Sequence, residues 1–355
     1  MRAILVAGLR SFLRDRPGMV LTLVLPPLVY LLFAAIFGAG ARGEIDLAVV
    51  LHDGARTVQS RVIEEGLAEQ LGGRLRLTVD PSAAEQMVTD GRADAGVLLE
   101  SSGGDAPRII IIRAPGRETA GAALSGQVQH LAEIAAGETA PTRGRMSART
   151  VGPPGDAQAV YYAGAVSVMF VFFAAMHGAM AGLDDRRSGL QARLALAAGG
   201  LRPVIGGRAA LLTVTGVIQT VFVFAVAYPS LPALSPLQVA GWLVTAVLAA
   251  ASAAGLALAI ISLCRSRGQA QPLSTFIVLL LAAIGGSMAP RFLMPEVFRQ
   301  IGWATPHAWA IEAYQTLLWR GVVDHVVLGA WVFLASVAFS GWLAALAVEA
   351  RRPLP

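Results

Sequence analysis

The sequence contains no lysine and no asparagine, a single cysteine (Cys264), and charged residues at only 14%. A Walker A phosphate loop needs its lysine for the β- and γ-phosphates, so binding and hydrolysis of ATP by that route are excluded from this chain. Without asparagine there is no N-glycosylation sequon. One cysteine cannot close an intrachain disulfide. The motifs HExxH and GxSxG are missing, as is any cluster with metal-ligand spacing. The expectation is therefore a chain that is not an enzyme and holds no cofactor of its own. His52 beside Asp53 is the one tempting pair, and a turn following a strand explains "LHDG" more simply. His130 reads as a helix-surface residue.

What is present is apolar: 55% of 355 residues are hydrophobic, too many for an ordinary soluble domain of that length. The formal charge of +5 comes from arginines spread over loops, which speaks for membrane orientation and against a nucleic-acid partner.

A helix needs about 20 apolar residues to cross a bilayer, so gaps between charges mark the spans. Met19 to Phe37 is the first; a secretory signal is the competing reading, but its apolar core would be only about 7 to 15 residues. Tyr161 to Ala181 is the second. The charge-free run from Ala209 to Cys264 is split by Pro229, Pro232 and Pro236 into a third (Ala209 to Ala227) and a fourth (Leu237 to Leu263). Pro272 to about Gly285 and Val326 to Val348 complete the set. Residues 1–17 place arginines on one helical side and Ile4, Leu5, Leu9, Phe12 and Leu13 on another, as an interfacial helix does.

Arginine counts set the orientation. Arg2, Arg10, Arg14 and Arg16 precede the first span; Arg186, Arg187, Arg193, Arg202 and Arg208 lie between the second and third. Arg265 and Arg267 follow the fourth, and Arg351 and Arg352 the sixth. The positive-inside rule then puts both termini in the cytoplasm and residues 42–155 outside. Trp242, Trp303, Trp309, Trp319 and Trp331 fall at the expected outer interface, as an aromatic belt.

Residues 41–155 differ from the rest. "EIDLAVVL", "GRLRLTV", "ADAGVLLE" and "PRIIIIRA" read as strands, and "ARTVQSRVIEEGLAEQL", "SAAEQMVTDG" and "ETAGAALSGQVQHLAEIAAG" as helices. "PTRGRMSARTVGPPGD" reads as a linker back to the membrane. The expected fold class is a polytopic α-helical membrane protein of six transmembrane helices with an inserted extracytoplasmic α/β domain. Its segments are 1–17, a first span at 18–40, the domain at 41–155, and five further spans in 156–355.

The spans hold no Asp, Glu, Arg or Lys. Carriers driven by ions place such charges inside the membrane, so energy for transport must reach this chain from a partner. His177 is the sole intramembrane titratable candidate, read as a buried, hydrogen-bonded structural residue. The loop "LDDRRSGLQARLALAAGGLRP" combines Asp184, Asp185, Arg186 and Arg187 with a short helix from Gln191 to Leu196 and a Gly-rich break. Topology anchors explain arginines but not two acids. A loop shaped to dock on a partner does.

At this point the sequence resembles the permease subunits of type 2 ATP-binding-cassette exporters, in the branch with a large outer domain between spans one and two. Three regions carry the resemblance. In loop 182–208 the family has an acidic and basic run, a Gly, a short helix and a closing Gly-Lys pair, for which this sequence has Asp184 to Arg187, Gly189, and Gly207 with Arg208; Leu190 and Ala198 stand where the family has Thr and Pro. In segment 290–322, "MPEVFRQIGWATPHAWAIEAYQTLLWRG" looks like the family's outer fold-back, with Pro295, Pro306, Glu312 and Gly321 at matching places. "DGRADAGVLLE" resembles the helix-to-strand step of the outer domain.

The resemblance implies a permease in the cell (inner) membrane, paired with a second copy or a similar permease and bound to two ATPase subunits that use ATP and magnesium. Asp184, Asp185, Arg186, Arg187, Gly189, Gln191, Arg193, Leu194 and Arg208 would form the ATPase-coupling loop. Pro295, Trp303, Pro306, Trp309, Glu312 and Tyr314 would form the outer gate. The apolar second and fifth spans favour an amphiphilic or lipid-like substrate moved by alternating access. The competing expectation is a non-transporting sensor or assembly factor that uses its outer domain to bind a ligand or partner.

Overall fold

The computed structural model describes residues 2–37, 48–90, 92–103, 106–114, 118–136, 146–151, 157–196, 200–288, 291 and 294–351. The stretches "GAGA", "EID" and most of the linker reading lie outside them. In chain order the elements are α1 (Arg2–Arg14), α2 (Arg16–Leu23), α3 (Leu25–Phe37), β1 (Val49–Asp53), α4 (Val58–Leu71), β2 (Leu75–Leu77), α5 (Pro81–Thr89), β3 (Ala95–Glu100), β4 (Arg108–Arg113), α6 (Glu118–Ala136) and β5 (Met146–Thr150). Then follow α7 (Ala157–Ala179), α8 (Ala181–Arg187), α9 (Leu190–Ala195), α10 (Arg202–Ala227), α11 (Pro236–Leu263), α12 (Arg267–Gly285), α13 (Glu296–Gly302), α14 (Pro306–Gln315) and α15 (His325–Ala350). Contacts divide the chain into two compact units, a helical one and one spanning Phe33–Ala159 with Ser230–Ala233.

The second unit is built on a sheet of order β2-β1-β3-β4-β5. β1 runs parallel to both β2 and β3, β3 is antiparallel to β4, and β4 is parallel to β5. Successive strand residues point to opposite faces, so Val49, Leu51, Val97, Leu99, Ile109 and Ile111 pack with α4 and α6, while Val50, Leu98, Ile110 and Ile112 pack with Ala84 and Val88 of α5. Thr57 and Ser60 cap α4 reciprocally. The Asp80 side chain caps α5, and its hydrogen bonds from Ser82 hold that carboxyl below the usual carboxylate range. β5 corrects the linker reading. "MSART" has no apolar alternation and its side chains are largely exposed, so only its backbone pairing, Ile109 opposite Met146 onward, makes it a strand.

Among the described residues of the helical unit, five helices are long and apolar enough to cross a membrane, or six if the bent pair at the N-terminus counts as one span. That pair turns by 99° between Val6–Arg14 and Gly18–Ala34. The expected single run from Met19 to Phe37 is divided between α2 and α3 at Val24, where Pro26 and Pro27 supply no N–H to the preceding turn. α12 begins at Arg267, a turn and more before the expected Pro272, because the Ser266 side chain caps the Gln269 N–H and the proline is carried inside the helix.

α7 is the most enclosed span, with 83% of its apolar window buried, whereas α10, α12 and α15 leave broad apolar faces uncovered. His177 is not buried as expected. It stands exposed near the end of α7, since that helix turns Phe172, Ala175, Met176 and Ala179 into the bundle.

α11 and α15 make the most extensive helix contact. In lipid the hydrophobic effect does not distinguish a helix neighbour from an acyl chain, so close van der Waals approach between small residues decides packing. Gly255 and Gly341 meet backbone to backbone: a Cβ on Gly341 would lie 2.4 Å from the Gly255 carbonyl carbon, and one on Gly255 would lie 2.5 Å from the Ala338 oxygen. Gly341→Ala is therefore expected to lower the thermal unfolding midpoint of the detergent-purified protein, by a loss of about 1–3 kcal/mol. Gly126→Ala in α6, where nothing lies within 4 Å, is expected to leave stability unchanged or raise it by up to about 1 kcal/mol.

Candidate functional site

Two polar constellations stand out in an otherwise apolar helical unit. The first surrounds the charged loop. α8 carries all four charges of the "DDRR" run on one short turn pair, and Gly189 ends it in the left-handed region at φ 69° before α9 begins.

Each of three neighbouring charges is held by a different part of the same chain. Asp184 accepts from Arg267 at the start of α12, with Nε 2.8 Å from Oδ1 and 3.0 Å from Oδ2 and Nη2 closing the fork. Asp185 pairs with Arg208 of α10, and that approach uses the bare Cα of Gly182, where a Cβ would stand 2.8 Å from Arg208 Nη1. Arg186 Nη2 lies 2.8 Å from Glu349 Oε1 near the end of α15. Its Nη1 donates to the Cys264 carbonyl at 3.1 Å, and Nη2 reaches the Ile261 carbonyl at 3.5 Å. Both carbonyls lie at the end of α11, where Ile261 also accepts from the capping Cys264 N–H at 3.1 Å. Gln191 of α9 donates to the other Glu349 oxygen at 2.6 Å.

Exposure grades these contacts. The Asp184 and Arg267 side chains are 48% and 47% exposed, whereas Glu349 is 7% and Arg186 19% exposed. An exposed pair contributes about 0–1 kcal/mol. Removing one member of a buried pair costs about 3–5 kcal/mol, because the other charge is left desolvated.

The sequence reading treated the spans as free of charge; Glu349, one residue beyond the expected end at Val348, is a buried charge within α15. Its only sequence signal is an acid standing between an apolar run and two arginines. Arg187, Leu190, Arg193 and Leu196 are exposed, and Leu194 is half-buried. Leu196 is 83% exposed, unusual for a large apolar side chain.

The second constellation is at the fold-back. Thr305 caps α14 through the Ala308 N–H and donates to the Gly302 carbonyl at 2.8 Å, with Pro306 in the first turn. Pro295 precedes α13. Arg291, whose side chain is 4% exposed, donates to Glu312 Oε1 at 3.1 Å and to the Arg299 carbonyl at 2.9 Å. Its guanidinium lies 4.0 Å from the Trp303 ring centroid, a cation–π contact. Trp303 packs on Trp309 at 4.6 Å, Trp309 Nε1 donates to the Trp303 carbonyl at 2.7 Å, and Trp309 stacks on Phe333 of α15 at 5.5 Å. The Tyr161 hydroxyl donates to the Gly286 carbonyl at 2.6 Å and accepts from the Arg291 N–H at 3.2 Å.

Of the expected gate residues, Trp303, Trp309 and Glu312 meet around Arg291. Tyr314 is buried elsewhere, against Phe224 at 5.2 Å. The tryptophans are more enclosed than an aromatic belt predicts: Trp319 is fully buried, and Trp331 donates to Thr245 at 2.9 Å. Arg291 and Tyr161 escape the sequence reading because Tyr161 stands at the start of an expected span and Arg291 just beyond one, where a tyrosine and an arginine are ordinary. His307, fully buried with its ring 4.4 Å from Phe172, was missed too. Among the described residues no group of His, Cys, Asp and Glu could hold a metal ion.

These features accord with a multi-pass membrane protein. No curated protein matches the chain. A family model described as "ABC-2 family transporter protein" matches residues 17–346, and that family implies partnership with ATP-binding-cassette ATPase subunits. With nearly its whole length covered, the chain belongs to the ABC-2 transporter family of multi-pass membrane permeases.

Proposed function

We propose that this chain is the permease half of an ATP-driven exporter, with six spans, both termini in the cytoplasm and residues 42–155 outside the inner membrane. Two permease copies bind two ATPase subunits, which hold the ATP and magnesium. The observation that carries this reading is the division of labour in the charged loop. Asp184, Asp185 and Arg186 are paired with span ends, which leaves Arg187, Leu190, Arg193 and Leu196 uncovered on and beside α9. Two large apolar side chains flanked by arginines form a surface suited to an apolar cleft with an acidic rim. Closure of the ATPases on ATP displaces that surface, and the aromatic cluster around Arg291 acts as the outer gate for an amphiphilic or lipid-like substrate.

Reversing the two uncovered arginines, Arg187→Glu with Arg193→Glu, is expected to reduce copurification with the ATPase at least tenfold, equivalent to about 1.4 kcal/mol, while the permease still inserts. Undiminished copurification would show that α9 is not the docking surface. The orientation is tested separately. With Cys264→Ala as background, Ser101→Cys is expected to react with an impermeant thiol reagent in intact cells and Ser188→Cys only after the membrane is opened. The opposite pattern would invert the topology.

A further inference from the structure

A six-residue helix such as α9 has no core of its own, so it transmits motion only through what holds it. Glu349 holds it. One carboxylate oxygen takes Arg186 of α8 and the other takes Gln191 of α9, while the same arginine reaches the terminal carbonyls of α11. Three side chains thus bind four helices at one end of the bundle. The exposed Asp184–Arg267 pair exchanges readily with water and salt, whereas the enclosed Glu349 does not.

From Glu349, α15 runs back to His325, about 36 Å at 1.5 Å per residue. It is seated against α11 at the Gly255–Gly341 contact, where no side chain stands between the backbones to yield. Toward its other end it carries Phe333, stacked on Trp309, and Gly329, whose bare Cα faces the same indole: a Cβ there would lie 3.1 Å from the ring. Trp309 in turn bonds and packs on Trp303, which covers Arg291. The loop and the fold-back cluster are therefore the two ends of one rigid helix.

We propose that Glu349 is a positioning residue for transport, and that α15 is the rod by which displacement of α9 reaches the Trp303–Trp309–Arg291 cluster. The inference rests on the exporter reading. In it, Arg186, Gln191 and Glu349 move as one body with the docking loop and stay joined throughout the cycle. A contiguous path alone is only associational, and the physical requirement is that both ends respond to the same displacement.

The test uses the purified complex of permease and copurifying ATPase in lipid, with Cys264→Ala as background and Ser287→Cys as reporter. Ser287 is fully buried next to Gly286, where Tyr161 is anchored. A methanethiosulfonate reagent is applied with and without ATP and magnesium. In the reporter complex, ATP is expected to change the labelling rate several-fold. Glu349→Gln is expected to abolish that response while copurification and ATP hydrolysis persist. Phe333→Leu, which cuts the path at its far end without disturbing a buried charge, is expected to do the same.

A full ATP response in either variant would overturn the rod. Loss of copurification in Glu349→Gln would overturn it as well, by showing that the residue serves docking alone. No ATP response in the unsubstituted reporter complex would remove the exporter reading itself.

Discussion

The ion pair between Arg186 and Glu349 is the constraint on which the charged end of the helical unit depends. A carboxylate so nearly enclosed is tolerable only if its oxygens are matched, and matching them brings α8, α9 and α15 together, with α11 added through its terminal carbonyls. Once those elements are fixed, Asp184 and Asp185 lie within reach of Arg267 and Arg208, and the starts of α12 and α10 are tied to the same place. The loop is thus an outgrowth of the bundle, and its uncovered residues are those that no span end claims.

Away from that end the helices are held by fit. α11 is lined with buried alanines from Ala246 to Ala257 and meets α15 at glycine, the small-residue packing expected where lipid surrounds both partners. The fold-back cluster is the exception, and it follows the same rule as the loop. A buried guanidinium, Arg291, is surrounded by a carboxylate, a backbone carbonyl and an indole face, and the aromatic residues of the segment assemble around it.

Much of this architecture is legible in the sequence, because the cost of charge in a bilayer leaves long gaps that mark α7, α10, α11, α12 and α15. The strands of the α/β unit are legible for a related reason: burial on both faces writes short, nearly continuous apolar runs into β1, β3 and β4. What escapes has no periodic or compositional trace. β5 is made by backbone pairing of a polar segment, so "MSART" looks like linker. The break at Val24 depends on two missing N–H groups inside a run that is apolar throughout. Glu349 and Arg291 look like ordinary boundary charges, and only the fold shows that neighbours from distant elements enclose them. The acids of the loop were legible as unusual, but their partners, 23 to 83 residues away along the chain, were not.

A permease with no energy source of its own has to work as one part of an assembly, as proposed above. Native mass spectrometry of the tagged chain, released from membranes in mild detergent, tests it most directly. The account predicts a particle containing two 36.9 kDa permease chains and two ATP-binding-cassette subunits, with ATP bound only in the latter. A permease that emerges alone, or with partners that carry no nucleotide-binding subunit, would contradict it.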